Sequence, residues 1–88
     1  MKNSVDEEVI DFTAEYTHTS PDSINDATEL ASIGIVTYDD KVAYITNLED
    51  SFNLTYEEGD AVGLVIVGDA TLLIEKKLGS STREITKK

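Results

Sequence analysis

What most constrains this chain is the stretch 41–77, KVAYITNLEDSFNLTYEEGDAVGLVIVGDATLLIEKK, which holds most of the apolar runs and nearly all the turn chemistry. It opens with an extended piece, Val42, Ala43, Tyr44 and Ile45. Leu48 and Phe52 then stand four residues apart, the spacing of one helical face. Asn53 follows as a left-handed stop for that short helix. A polar loop carrying Gly59 leads into residues 61–67, which are apolar on both faces and read as a buried strand. Gly68-Asp69 is a two-residue turn signal, and residues 71–74 return as a second β-rich run, so this half predicts a hairpin.

Upstream, residues 32–38 (SIGIVTY) place Ile33, Ile35 and Thr37 on one face and Gly34, Val36 and Tyr38 on the other, the alternation of a strand. Asp39-Asp40 turns that strand into the next. The predicted order is hairpin, short helix, hairpin.

That order resembles the AbrB-like (SpoVT-AbrB, MazE-type) swapped-hairpin domains over residues 33–77. Their strand ends in a basic-Val-x-Ile-Pro pattern, read here as Lys41-Val42-Ala43-Tyr44-Ile45. Their helix closes on Leu-Gly-Leu, here Phe52-Asn53-Leu54, and their Gly-Asp turn is Gly59-Asp60. Ile45 replaces the usual proline, Asn53 replaces glycine, and the loop before Gly59 is longer. The resemblance implies a mainly β fold with one short helix, a swapped-hairpin barrel completed by an interlocked homodimer. Its core would be Val42, Tyr44, Leu48, Phe52, Leu54, Val62, Leu64, Ile66, Leu72 and Ile74. It also implies a DNA-binding transcriptional regulator or antitoxin, with Lys41, Thr46 and Asn47 as the matching contact candidates. Glu49 and Ser51 stand where the family has basic residues.

Size leads separately to a dimer. The chain has 88 residues, and its first thirty read as too polar to share fully in a core. A core of the remaining length rarely supplies more than roughly 3–5 kcal/mol without a staple. With no cysteine and one histidine, disulfides and a structural zinc site are excluded, so no metal or cofactor is expected. Association with a second copy is the staple left. The expected division is an acidic segment over 1–30, flexible or weakly helical, the swapped-hairpin domain over 31–77, and a basic flexible tail over 78–88.

Charge argues against the DNA reading. The formal net charge is −11, which repels nucleic acid and anionic membrane. Residues 1–30 and 31–74 each carry eight acids and one lysine, and only residues 75–88, with five bases and two acids, are basic. DNA would be held weakly. The alternative is a protein-interaction module of the same fold that has lost DNA binding, including a DNA-mimicking antagonist of a basic or AbrB-like partner. Such acidity also suits a saline cytoplasm, and with no apolar leader after Lys2 and no run long enough to span a bilayer, a cytoplasmic protein is expected.

Within the first segment, Val5, Val9, Phe12 and Tyr16 recur at helical spacing, with Asn3 or Ser4 as candidate caps and Asp6, Glu7 and Glu8 in the first turn. The competing reading is a disordered acidic tail. Ser20-Pro21-Asp22-Ser23 marks a linker, and His18 stands in a polar run without an evident partner. Catalytic chemistry is missing: there is no cysteine nucleophile, nucleophile elbow or phosphate loop, so no enzyme is expected. The acidic pairs Asp39/Asp40, Glu49/Asp50 and Glu57/Glu58 lack the alternating spacing of a calcium loop and read as solvated charge.

Overall fold

The computed structural model describes residues 5–86, with side chains through residue 79. It contains three α-helices, α1 (Val5–Thr17), α2 (Tyr38–Ser51) and α3 (Val67–Thr86), with short 3-10 turns at Pro21–Ser23 and Leu30–Ile33. No strand occurs among the described residues, and the sole extended pairing there is an isolated antiparallel bridge between Glu29 and Ile66. This overturns the mainly β swapped-hairpin barrel.

The reasons are local and lie in caps. At Thr37 the side chain accepts from the Asp40 N–H at 3.0 Å, while Asp40 Oδ2 accepts from the Thr37 and Val36 N–H groups at 3.1 Å. That reciprocal capping box starts a helix where the Asp39-Asp40 pair had been read as a hairpin turn. Tyr44, Ile45 and Leu48, all fully buried, then form the helical stripe that continues into Phe52. Asn53 ends the helix as expected, at φ 61°. Its N–H donates to the Asp50 carbonyl at 3.0 Å and the Leu54 N–H to the Glu49 carbonyl at 2.8 Å, a Schellman closure.

The second correction concerns residues 61–74. Asp69 Oδ2 accepts from the Val65 and Ile66 N–H groups at 2.9 and 3.1 Å, satisfying donors ahead of α3, so Gly68-Asp69 lies in a helical first turn. Val67, Ala70 and Ile74, at spacings of three and four, are fully buried along α3. The loop before them turns at Gly59 and Gly63, with φ of 96° and 84°. Ala61 and Leu64 anchor that loop in the core. The helix continues through residues whose composition had suggested a flexible tail, while Lys87 and Lys88 lie outside the described residues.

The Val5, Val9, Phe12, Tyr16 stripe forms α1, and its candidate caps Asn3 and Ser4 lie outside the described residues. Val9 and Ala14 share one core with Ile24, Leu30, Ile35, Tyr44 and Ile74. The Thr13 and Tyr44 hydroxyls are 2.6 Å apart inside it, and Tyr44 packs edge-on to Tyr16. Two extended pieces are laced together beside this core: Leu30 N–H to Val65 O at 2.9 Å, Val67 N–H to Thr28 O at 2.9 Å, and Gly68 N–H to Asp26 O at 2.8 Å. A Cβ at position 68 would stand 3.1 Å from the Asp26 carbonyl oxygen, which is why glycine opens α3 there.

Candidate partner-binding face

The three proposed DNA contacts do not form one face. Thr46 and Asn47 are exposed on α2 beside Asp50, in a shallow cleft of about 400 Å³ that Leu54, Thr55 and Tyr56 complete. Asn47 Nδ2 is already bound to the Ala43 carbonyl at 2.8 Å. Lys41 lies five residues before Thr46, roughly 140° away around the helix at about 100° per residue. Asp39 and Asp40 immediately precede it. With no strand among the described residues, no swapped-hairpin hinge is present there to bring these groups together, so the DNA-contact geometry implied by the resemblance is lost with the fold.

The expected dimer core is divided differently. Tyr44, Leu48, Leu64 and Ile74 are buried within the single chain. Val42, Phe52 and Leu54 are half-buried against that same core, and Ile66 is half-buried beside its bridge to Glu29. Val62 and Leu72, in contrast, are 68% and 65% exposed.

Those two residues belong to an outward face. Val62, Leu64, Leu72 and Leu73 line a cleft of about 480 Å³ between the loop and α3, together with Glu58, Asp69 and Lys76. Val65, also more than half exposed, stands four residues before Asp69, whose carboxylate accepts from its N–H. The loop is held against α3 from below by Lys77. Its Nζ lies 2.7 Å from Glu49 Oε2, bonds Asp60 Oδ2, and donates to the Thr55 carbonyl at 2.9 Å.

Lys77 and its partners are electrostatically asymmetric. Glu49 is fully buried, and although Lys77 is at ion-pair distance, neither carboxylate oxygen has a well-directed hydrogen bond. Burial pushes the Glu49 carboxyl up to about 7; Lys77 opposes the shift, and Asp60 adds to it. Asp60 moves the other way: burial alone would raise it, but Lys77 and the Glu57 N–H outweigh that and hold it below the usual carboxylate range. Burial works against the charge on Lys77, yet the two carboxylates prevail and raise it.

Sequence reasoning missed both features. Residues 61–67 read as a strand apolar on both faces and buried, whereas the chain turns at Gly63 and exposes Val62. A signal for Glu49 was present: it stands four residues after Ile45 and next to Leu48, on the buried stripe of a helix begun at Tyr38. Comparison with known proteins finds no matching family, no similar curated protein and no similar solved structure. No described helix is long and apolar enough to cross a membrane.

Proposed function

We propose that this chain is an acidic interaction module that docks a basic protein partner on the cleft between the 58–65 loop and α3. The observation that carries the reading is the pairing of Val62 and Leu72, each about two-thirds exposed, on one cleft that Glu58, Asp60 and Asp69 line against a single lysine, Lys76. Large aliphatic side chains projecting into water are a recognition feature when they share a patch. Carboxylates around them select for lysine and arginine on the partner and, with a net charge of −11, steer its approach. The partner is accordingly a segment with apolar anchors set between basic residues. The proposal places the module in the cytoplasm and gives duplex DNA no part.

The test is a ¹H-¹⁵N titration of the full chain with a synthetic amphipathic peptide carrying leucines between lysines, and with its glutamate counterpart. Shifts confined to residues 58–73, seen with the lysine peptide and abolished in Leu72→Asp, support the face. Shifts that map to α1 or α2, or that survive Leu72→Asp, overturn it. Sedimentation of the free protein covers self-docking, since a dimer that Leu72→Asp dissolves would make a second copy the occupant and replace the basic partner.

A further inference from the structure

The docking cleft shares one carboxylate with the buried charge cluster beneath it. Asp60 lines that cleft, and it also lines a second one of about 390 Å³ with Leu54, Glu57, Lys76 and Lys77. Its Oδ2 accepts the Glu57 N–H at 2.9 Å and is bonded by the Lys77 ammonium. The Asp60 side chain is left 10% exposed, so its charge is answered inside the chain and not at the cleft.

Lys77 has a competing partner. Glu49 Oε2 lies 2.7 Å from the same nitrogen, yet Glu49 is fully buried and neither of its oxygens has a directed hydrogen bond. Two carboxylates therefore contend for one ammonium where water hardly reaches, and the charge that is left over is costly to keep. A single proton relieves it. Placed on Glu49, that proton removes the surplus charge and gives Asp60 a hydroxyl donor. Burial pushes the Glu49 carboxyl up to about 7 against the pull of Lys77, and hydrogen bonding with Asp60 adds to the rise. The other groups facing the cluster hold their protons more firmly: Tyr56 is raised, by burial first and by Tyr38 second, and the two carboxylates raise Lys77 although burial opposes its charge.

We propose that the proton on Glu49 decides whether Asp60 is available to the docked partner. With Glu49 protonated, Lys77 stays on Asp60 and the cleft offers Glu58 and Asp69 alone. With Glu49 ionised, the ammonium turns its hydrogens to Glu49; Asp60 keeps the Glu57 N–H and presents its freed charge to a lysine or arginine of the partner. Docking a basic segment is then linked to release of one proton to solvent, and deprotonation switches the cleft on. This regulation rests on the docking reading proposed above.

The test repeats the ¹H-¹⁵N titration with the leucine–lysine peptide on the full chain at pH 6 and pH 8, at one ionic strength and with His18→Gln in every sample to remove the imidazole. If the ionised form alone docks, the ionised fraction of a carboxyl with its pKa near 7 makes binding about tenfold tighter at pH 8. Glu49→Gln should bind equally at both pH values, with the affinity that the parent chain shows at pH 6. Asp6, raised to about 6, lies in the neighbouring cleft with Asp69 and Leu72. A pH dependence that Glu49→Gln keeps would belong to Asp6 and overturn the proposal, as would parent binding that does not change with pH. A ¹³C titration of the side-chain carboxyls in the free chain separates the switch from the docking reading. If no peptide binds at either pH, the docking reading fails, and Glu49 and Asp60 moving together through one step near pH 7 still supports the exchange of Lys77. An Asp60 resonance that stays flat through the Glu49 step overturns the exchange even where the peptide binds on residues 58–73.

Discussion

Lys77 Nζ on α3 lies 2.7 Å from Glu49 Oε2 on the last buried turn of α2, and the same ammonium holds Asp60 of the intervening loop. One cation therefore joins three segments that also share one apolar core. Removing it as Lys77→Met leaves a buried carboxylate without a counter-charge, a loss on the order of 3 kcal/mol. Urea unfolding at pH 8 measures it. Glu49→Gln should cost much less, because it takes away the charge that needed compensation.

The same cluster sets the pH dependence. Glu49 has a folded pKa of about 7, above its ordinary value of 4.5, so the native state holds its proton more tightly than the unfolded chain. Its stabilising effect is complete below about 4.5 and disappears as pH rises through 7. Asp6, raised to about 6, acts in the same direction over a lower window. Asp60 and Asp40, both lowered, contribute stability that is lost only as pH falls below the usual carboxylate range. Unfolding free energy should therefore peak near pH 4.5 and fall by the order of 2–3 kcal/mol toward neutrality. Glu49→Gln should flatten the decline.

Inside the core, the Thr13–Tyr44 hydrogen bond at 2.6 Å joins α1 to α2. Tyr44→Phe leaves the buried Thr13 hydroxyl without that partner and should cost about 1–2 kcal/mol in denaturant unfolding. Thr13→Val added to Tyr44→Phe should recover part of the loss, because no polar group is then left unsatisfied.

At the start of α2, Thr37→Ala removes the side-chain half of the capping box and should cost about 1 kcal/mol. Thr37→Ser keeps the acceptor and should be close to neutral. Amide exchange at Asp40, whose N–H the Thr37 hydroxyl accepts, should speed up in the alanine variant alone.

How far the sequence could be read follows from these same residues. The α1 stripe and the Asn53 stop were legible because each rests on short-range rules, helical spacing and tolerance of positive φ. Helices α2 and α3 were misread where β-branched residues crowd together: Val42 and Ile45 favour extended backbone by propensity and burial on α2 overrode it, whereas Val65 and Ile66 are extended as expected and the helix begins only at Val67. The evidence that should have prevailed was the caps. Thr37-x-x-Asp40 fits a capping box, and Val67, Ala70, Ile74 and Leu78 keep helical spacing through what had been read as a hairpin. The exposed Val62 and Leu72 could not be found from sequence, because apolar residues in a short run carry no mark of which will face water. The partnership of Lys77 with Glu49 was equally hidden, since it depends on how α2 and α3 approach each other.

The acidic composition and the Ser20-Pro21 break predict that residues 1 to about 28 can be removed without loss of the fold; the packing predicts the opposite. Val9 is fully buried, Thr13 is bonded to Tyr44, and Ile24 and Leu30 fill the same core as Ile45 and Ile74. A chain beginning at Glu29 would uncover the aromatic face of Tyr44, which Phe12 and Tyr16 cover, together with the side of α3 that meets α1. Burial of a large side chain is worth roughly 1.5–3 kcal/mol, so losing Val9, Phe12 and Ile24 together removes a large share of the 5–15 kcal/mol that holds a typical domain folded. The shortened chain should show weaker helical circular dichroism, no cooperative melt and collapsed amide dispersion. Adding residues 1–28 back as a separate peptide should restore helicity, because the surface it docks on is specific. A shortened chain that melts cooperatively with its full helical signal would show instead that α2 and α3 fold independently of α1.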